Sequence, residues 1–264
     1  MVLVRVPVEQ GARRHREGGD EKAIGLPGPG VPGPGLPGPG LPGPGLAVPR
    51  LAESRHSMAA YALGGRPPRP VASGAVNKWH AELLGTPEWA AFLHEEVLPV
   101  VTHGVDLGDD LLEIGPGPGA ATEWLRHRVR RLVALELEPE AAAALGERFA
   151  GTNVEAVTGD ATALPYPDES FDTVGMFTML HHVPTRALQD AILAGALRAL
   201  RPGGTLIGSD SLASDRLHRH HEGDTYYPVE PAAFLTRLQT IGFGEITLTV
   251  SDRLLFRARK PVPA

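Results

Sequence analysis

The segment Leu111-Leu112-Glu113-Ile114-Gly115-Pro116-Gly117-Pro118-Gly119 runs a short apolar stretch into glycines at alternate positions. Glycine permits a tight turn and close approach of backbone to a ligand. A helix starting behind it offers N–H groups and a positive dipole end, to which a carboxylate or a phosphate can bind. A dinucleotide site wants G-x-G-x-x-G, whereas here the third glycine comes one residue early. Glu136 follows 21 residues after Gly115, and a carboxylate at a strand end can accept both hydroxyls of a ribose. Its neighbour Glu138 precedes Pro139 and is suited to start a helix instead. Asp160, in Thr158-Gly159-Asp160-Ala161, closes a further strand on the same edge of the sheet. His181 and His182 follow another strand, where either could serve as general base or simply orient backbone at a helix start. The run from His218 to Pro228 crowds polar and aromatic groups into one connection, which is either a substrate lid, with His218, Asp224 and Tyr226 as substrate contacts, or an ordinary solvated loop. As metal ligands, His218, His220, His221 and Asp224 fit no common spacing, so no metal site is expected.

These groups need a frame that brings strand ends together. Strands are predicted at Leu111 to Ile114, Leu132 to Glu136, Val154 to Val157, Thr173 to Phe177 and Thr205 to Gly208. Helical patterns lie between or after them at Ala120 to Arg128, Pro139 to Phe149, Thr185 to Leu200 and Pro231 to Ile241. Such alternation makes a mainly parallel sheet covered on both faces. Two final runs, Glu245 to Val250 and Arg253 to Arg259, are separated by little more than a turn and would pair antiparallel at the sheet edge. The expected fold is a doubly wound α/β domain with a seven-stranded, Rossmann-like sheet and an antiparallel edge strand. Ahead of it, Thr86, Pro87 and Glu88 form a helix start, and Trp89, Phe92, Leu93, Val97 and Val100 make one apolar face. Trp79 and Trp89 lining a substrate pocket is the alternative to that packing role.

The ordered glycine motif, acidic strand end and Asp160 motif resemble the class I S-adenosylmethionine (SAM) dependent methyltransferases. The nearest branch is the one with the ubiquinone and menaquinone biosynthesis enzymes. The likeness runs from about Gly108 to Gly208, with Leu180-His181-His182-Val183 and Leu200-Arg201-Pro202-Gly203-Gly204 in register. It implies SAM as cofactor and transfer of its methyl group to a small-molecule acceptor. Gly115, Gly117 and Gly119 would wrap the methionine part, with Glu113 reaching its amino group. Glu136 would hold the ribose hydroxyls and Leu137 would pack on the adenine. Asp160 would accept from the adenine amino group, with Ala161 supplying a backbone N–H. Pro116 and Pro118 stand where that branch more often has small residues, and Glu136 stands for the shorter Asp.

Composition narrows the remaining classes. With 25 Lys+Arg against 31 Asp+Glu the formal charge is -6, so no basic surface for nucleic acid is implied. The chain has no cysteine, which excludes thiolate nucleophiles, disulfides and Cys-ligated metals. Neither a signal peptide nor a membrane span is predicted, and a cytoplasmic protein with no membrane partner is expected. From Leu26 to Gly45 a Pro/Gly pentapeptide repeats, LPGPG and VPGPG. Such sequence buries too little to offset its ordering cost, so residues 1–70 are expected to be a disordered leader and 71–264 the catalytic domain. That leader is either a spacer or an over-long translation start upstream of Met58. Two other functions compete. An NAD-dependent oxidoreductase would want a Tyr/Lys pair on one helix, but lysine occurs only at Lys22, Lys78 and Lys260. A catalytically silent SAM-fold scaffold would use the leader to bind partners.

Overall fold

The computed structural model describes residues 2–6, 82–221 and 223–263. Its eight strands are β1 (Val2–Val6), β2 (Asp110–Ile114), β3 (Arg131–Glu136), β4 (Val154–Thr158), β5 (Phe171–Phe177), β6 (Leu200–Ser211), β7 (Gly244–Val250) and β8 (Arg253–Arg259). They lie in one sheet in the order β1-β7-β8-β6-β5-β2-β3-β4. The pairs β2–β3, β3–β4, β2–β5 and β5–β6 are parallel, and β6–β8, β7–β8 and β1–β7 are antiparallel. The chain winds outward from β2 through β3 to β4, then returns to β5 and β6 on the other side of β2. The reversal opens a crevice at the carboxyl ends of β2 and β5, where such sheets bind ligands.

The sheet has eight strands rather than seven because Val2–Val6 adds to β7. This apolar, β-branched segment satisfies the open hydrogen-bonding edge that β7 would otherwise present. The structure therefore places a strand inside the expected leader. The Pro/Gly repeat, the expected boundary at residue 71 and Trp79 lie outside the described residues.

Helices cover both faces. One face buries Leu112, Ile114, Val133, Leu135, Val174 and Met176 under α5 (Arg186–Ala199) and α7 (Pro231–Ile241). The other buries Leu111, Leu132 and Ala134 under α1 (Pro87–Phe92), α2 (Leu98–Thr102), α3 (Ala120–Leu125) and α4 (Pro139–Arg148). Adjacent residues of one strand thus point into different cores, which is why β2 and β3 read as continuous apolar runs. The segments α1 (Pro87–Phe92) and α2 (Leu98–Thr102) are joined by a π-helical turn at Leu93–Val97. Pro99 has no N–H to donate and its ring crowds the preceding turn, and the extra residue accommodates it. Trp89 is buried against Phe92 in this core, with ring centroids 5.6 Å apart, so it packs rather than lining a pocket. Among the described residues no helix is long and apolar enough to cross a membrane.

Candidate active site

The glycine turn and the end of β3 are one hydrogen-bonded unit. Gly115 N–H donates to the Leu135 carbonyl at 3.0 Å, and Gly117 N–H donates to Glu136 Oε2 at 3.1 Å. Glu136 Oε1 also accepts from Leu137 N–H at 2.8 Å, which fixes the carboxylate across the mouth of the turn. Gly117 has φ of +53° and a Cβ there would meet nothing within 4 Å. That position combines a left-handed backbone with open space, the form of a cradle for a ligand. Gly119 has φ of +85°, and a Cβ there would come within 2.7 Å of Leu145 and Phe149. Its role is close packing of α3 on α4. Arg148 donates to the Pro118 carbonyl, tying the proline-rich turn to the end of α4.

Glu113 lies beneath this turn, 1% exposed. Its Oε2 accepts from Thr122 Oγ1 at 2.6 Å. Burial, with a smaller contribution from the charge of Glu136, pushes its carboxyl from the ordinary 4.5 up to about 7. A cation brought to this place would draw the proton off. Leu137 is 50% exposed, an apolar side chain left at the rim of the crevice. The turn after β4 joins the same unit, since Gly159 N–H donates to the Glu136 carbonyl at 2.8 Å. Asp160 caps a short 3-10 turn at Ala161–Ala163, with Oδ1 accepting from Thr162 N–H and Thr162 Oγ1, each at 2.8 Å.

A second group of side chains gathers after β5. Thr178 takes φ of +59°, a strained conformation for a β-branched residue, and redirects the chain into the 3-10 turn Leu180–His182. Met179 lies against the glycine turn, because a Cβ at Gly115 would fall 2.9 Å from Met179 Cβ. His181 is 1% exposed, and its Nδ1 is 2.6 Å from Oδ1 of the fully buried Asp210. Asp210 Oδ2 accepts from Leu180 N–H at 2.9 Å. The His182 ring stands 4.1 Å from that of His181, and its Nδ1 is 3.9 Å from Asp224 Oδ2.

The connection from Leu212 to Glu230 is partly helical where the sequence reads as a loop. Ser214 caps a helix, α6 (Asp215–His220), with Asp215 in its first turn and His218, Arg219 and His220 in its last. This charge order suits the helix dipole. Beyond it the chain is stitched to the β5 turn. Tyr227 N–H donates to the His181 carbonyl at 2.7 Å, and Gln189 donates to the carbonyls of Leu180 and Tyr227. Tyr226 stacks on His221, centroids 4.5 Å apart, and burial raises its phenol above the ordinary value. His218 is exposed, its ring 6.0 Å from that of Tyr226.

The structure therefore joins Gly115, Gly117, Glu136 and Gly159 at one end of the crevice, and His181, His182, Asp224 and Tyr226 at the other. Asp210 and His221 belong to the second group; the sequence reading missed Asp210 and weighed His221 only as a metal ligand of unsuitable spacing. Asp210 ends a buried strand three positions past Ile207 in a run read only to Gly208, so an acid at a strand end was the available signal. A cavity of about 530 Å³ at the opposite end of the sheet is lined by Gly108, Asp172, Arg201, Arg257 and Arg259 among others. There Arg201 pairs with Asp110 and Asp172, a brace for strand starts.

Part of the chain is similar to known proteins. Residues 112–208 match the family described as methyltransferase domain. The demethylmenaquinone methyltransferase of Tropheryma whipplei is 31% identical over 107 residues, covering 39% of this chain and 42% of that protein. A probable SAM-dependent methyltransferase of Mycolicibacterium smegmatis is 29% identical, covering 44% of this chain and 43% of its own length. A probable ribosomal RNA small subunit methyltransferase A of Methanosarcina mazei is 42% identical over 67 residues, covering 25% and 24% of the two chains. The match thus spans less than half of each of these relatives. A solved SAM-dependent methyltransferase of Methanosarcina mazei shares the fold with a TM-score of 0.54 at 17% identity, covering 63% of this chain and 99% of that one. A protein of Pyrococcus horikoshii does so with a TM-score of 0.56 at 16% identity, covering 67% and 93%. Residues 112–208 thus match a methyltransferase domain, and they lie on a mainly parallel, Rossmann-like sheet.

Proposed function

We propose that the chain binds SAM across the carboxyl ends of β2, β3 and β4 and transfers its methyl group to a small-molecule acceptor beside His181 and His182. The observation that carries this reading is Glu136 held across the mouth of the glycine turn by Gly117 N–H and Leu137 N–H, above the buried carboxyl of Glu113. The residues present fit the cofactor. Gly117 leaves room for it, Glu113 is a buried acid that a neighbouring ammonium would ionise, and Leu137 gives an exposed apolar face for a flat ring. Glu136 would take the ribose hydroxyls, and Asp160 with Ala161 the adenine edge.

When bound, SAM supplies a methyl carbon on a positively charged sulfur. The acceptor would bring the lone pair that receives this methyl group. The chain's part is in-line positioning, exclusion of water and removal of the acceptor proton. His181 suits the last task because Nδ1 donates to Asp210, so the neutral ring keeps its lone pair on Nε2. Asp224, Tyr226 and His218 would contact the acceptor. A ribosomal RNA enzyme among the relatives means that the net charge of -6 alone does not decide against a nucleic-acid acceptor. The small-molecule assignment draws on the enclosed, aromatic surroundings of His181 and His182.

Calorimetry with SAM and NAD tests the cofactor, and methyl-labelled SAM with panels of quinol, phenol, amine and RNA acceptors tests the reaction. At ~100 times its dissociation constant SAM should add about 2.7 kcal/mol of stability. Stabilisation by NAD instead would sink the reading, and SAM binding without turnover on any acceptor would make the chain a scaffold.

A further inference from the structure

We propose that His181, His182 and His221 form a site for one divalent transition-metal cation of the zinc or ferrous class, at the acceptor end of the crevice. Each residue offers a ring nitrogen, and these atoms all lie within 4.8 Å of one another. His181 and His221 are 1% and 3% exposed. The three come from two places in the chain, the turn after β5 and the end of α6, so the fold alone brings them together.

The tautomers are set for coordination. His221 Nδ1 is 2.7 Å from the Leu217 carbonyl oxygen, which can only accept, so Nδ1 carries the proton and Nε2 the lone pair. His181 is held in the same state by the Asp210 carboxylate at 2.6 Å. Asp210 is anchored in turn by the N–H groups of Leu180 and Ser211. A carboxylate behind an imidazole in this way orients a metal-binding histidine and raises its basicity. Asp224, its side chain 1% exposed and 3.9 Å from His182 Nδ1, brings a second buried carboxylate to the cluster. A divalent cation would offset both.

Metal–nitrogen bonds of about 2.0–2.1 Å put the ligand atoms of a tetrahedral site roughly 3.4 Å apart, so loading would draw the rings inward by about an ångström. Imidazole ligands favour zinc, iron, nickel or copper over magnesium or calcium, and the chain has no cysteine to compete. A cation here lies next to the cofactor turn, since Met179, two residues before His181, packs on Gly115. It would lower the pKa of an acceptor hydroxyl, which would release its proton to solvent; in the loaded chain His181 Nε2 would be a ligand, and the base role proposed above would belong to the unloaded chain. The inference stands on the cluster and does not require the SAM reading.

The full chain, purified without a histidine tag and stripped with chelator, is titrated with Zn(II) by calorimetry and with Co(II) by visible absorption. One cation per chain is expected. His182→Ala and His221→Ala each weaken binding by ~10-fold or more, and Asp210→Asn by ~10-fold, the scale of a carboxylate behind a ligand. His127→Ala, at an exposed histidine, leaves it unchanged, and circular dichroism checks that each variant folds. X-ray absorption at the zinc edge of the loaded parent needs no variant and should count three imidazoles. Fewer than three, no stoichiometric uptake, or undiminished binding in the His182→Ala/His221→Ala double variant overturns the site. Metal uptake without SAM binding would sink the methyl-transfer reading alone.

Discussion

The two ends of the crevice are built differently. At the ends of β2 and β3 the groups are backbone N–H donors and one acid per strand, Glu113 and Glu136, all within 25 residues of one another. At the ends of β5 and β6 they are side chains from three separate stretches, His181–His182, Asp210 and His221–Tyr226. A backbone site depends on glycines at set positions and tolerates little bulk. A side-chain site depends on packing that delivers rings to one place, and it can change its chemistry by single substitutions without disturbing its neighbour. The two ends should therefore respond independently to mutation.

The sharpest break should come at Gly117. Gly117→Val puts a branched side chain into the open cradle, and SAM affinity should fall by ~1000-fold or more, about 4 kcal/mol. The control is Gly119→Val, whose side chain meets Leu145 and Phe149 and should lower the melting temperature. Calorimetry and thermal denaturation separate the two, and unchanged SAM binding in Gly117→Val would remove the turn from the site.

Glu113 tests the charge at the cofactor end. The folded chain without ligand holds this proton up to about pH 7, whereas an unfolded one releases it near 4.5. Between those values the unfolded state binds fewer protons, so stability falls as pH rises, by about 3 kcal/mol from this group. Glu113→Gln should flatten that part of the denaturation profile and be the more stable protein above pH 7. Its SAM affinity should lose the rise that the parent shows as pH passes upward through about 7. A parent profile flat over this window would show that Glu113 titrates normally.

Glu136→Ala should cost about 1.5 to 3 kcal/mol of SAM affinity through lost charge-assisted hydrogen bonds, while acceptor KM stays near the parent's. Conversely, Asp224→Ala should lower kcat/KM for the acceptor by ~10-fold, about 1.4 kcal/mol, with SAM binding nearly intact. Coupled losses of both ligands in either variant would refute the independence of the two ends. The smallest effect is expected for a chain beginning at Val71. It loses β1 and exposes the edge of β7, far along the sheet from β2 and β3, so SAM affinity should stay within about two-fold because the site's hydrogen bonds lie elsewhere. A larger drop would tie the first 70 residues to the site.

What the sequence determined by itself was the periodic and the local. Apolar runs between helical patterns placed β2 to β8 and the main covering helices, because burial on both faces of a parallel sheet writes itself as continuous Val, Leu and Ile. The glycine turn and its neighbouring acid were legible for a related reason: a turn that needs a left-handed backbone needs glycine, and a strand-end acid keeps a fixed offset from it. Val2–Val6 was not legible as part of the sheet, since its partner β7 lies over 230 residues away and its neighbours are unlike folded sequence. The π-helical turn was hidden because apolar spacing does not record a single inserted residue. Only the tertiary structure decided that Asp210 stands behind His181, that α6 turns His221 onto both histidines, and that Tyr226 stacks upon it. Such contacts depend on where rigid elements end in space, and no spacing along the chain encodes that when the partners lie on different strands and a separate helix.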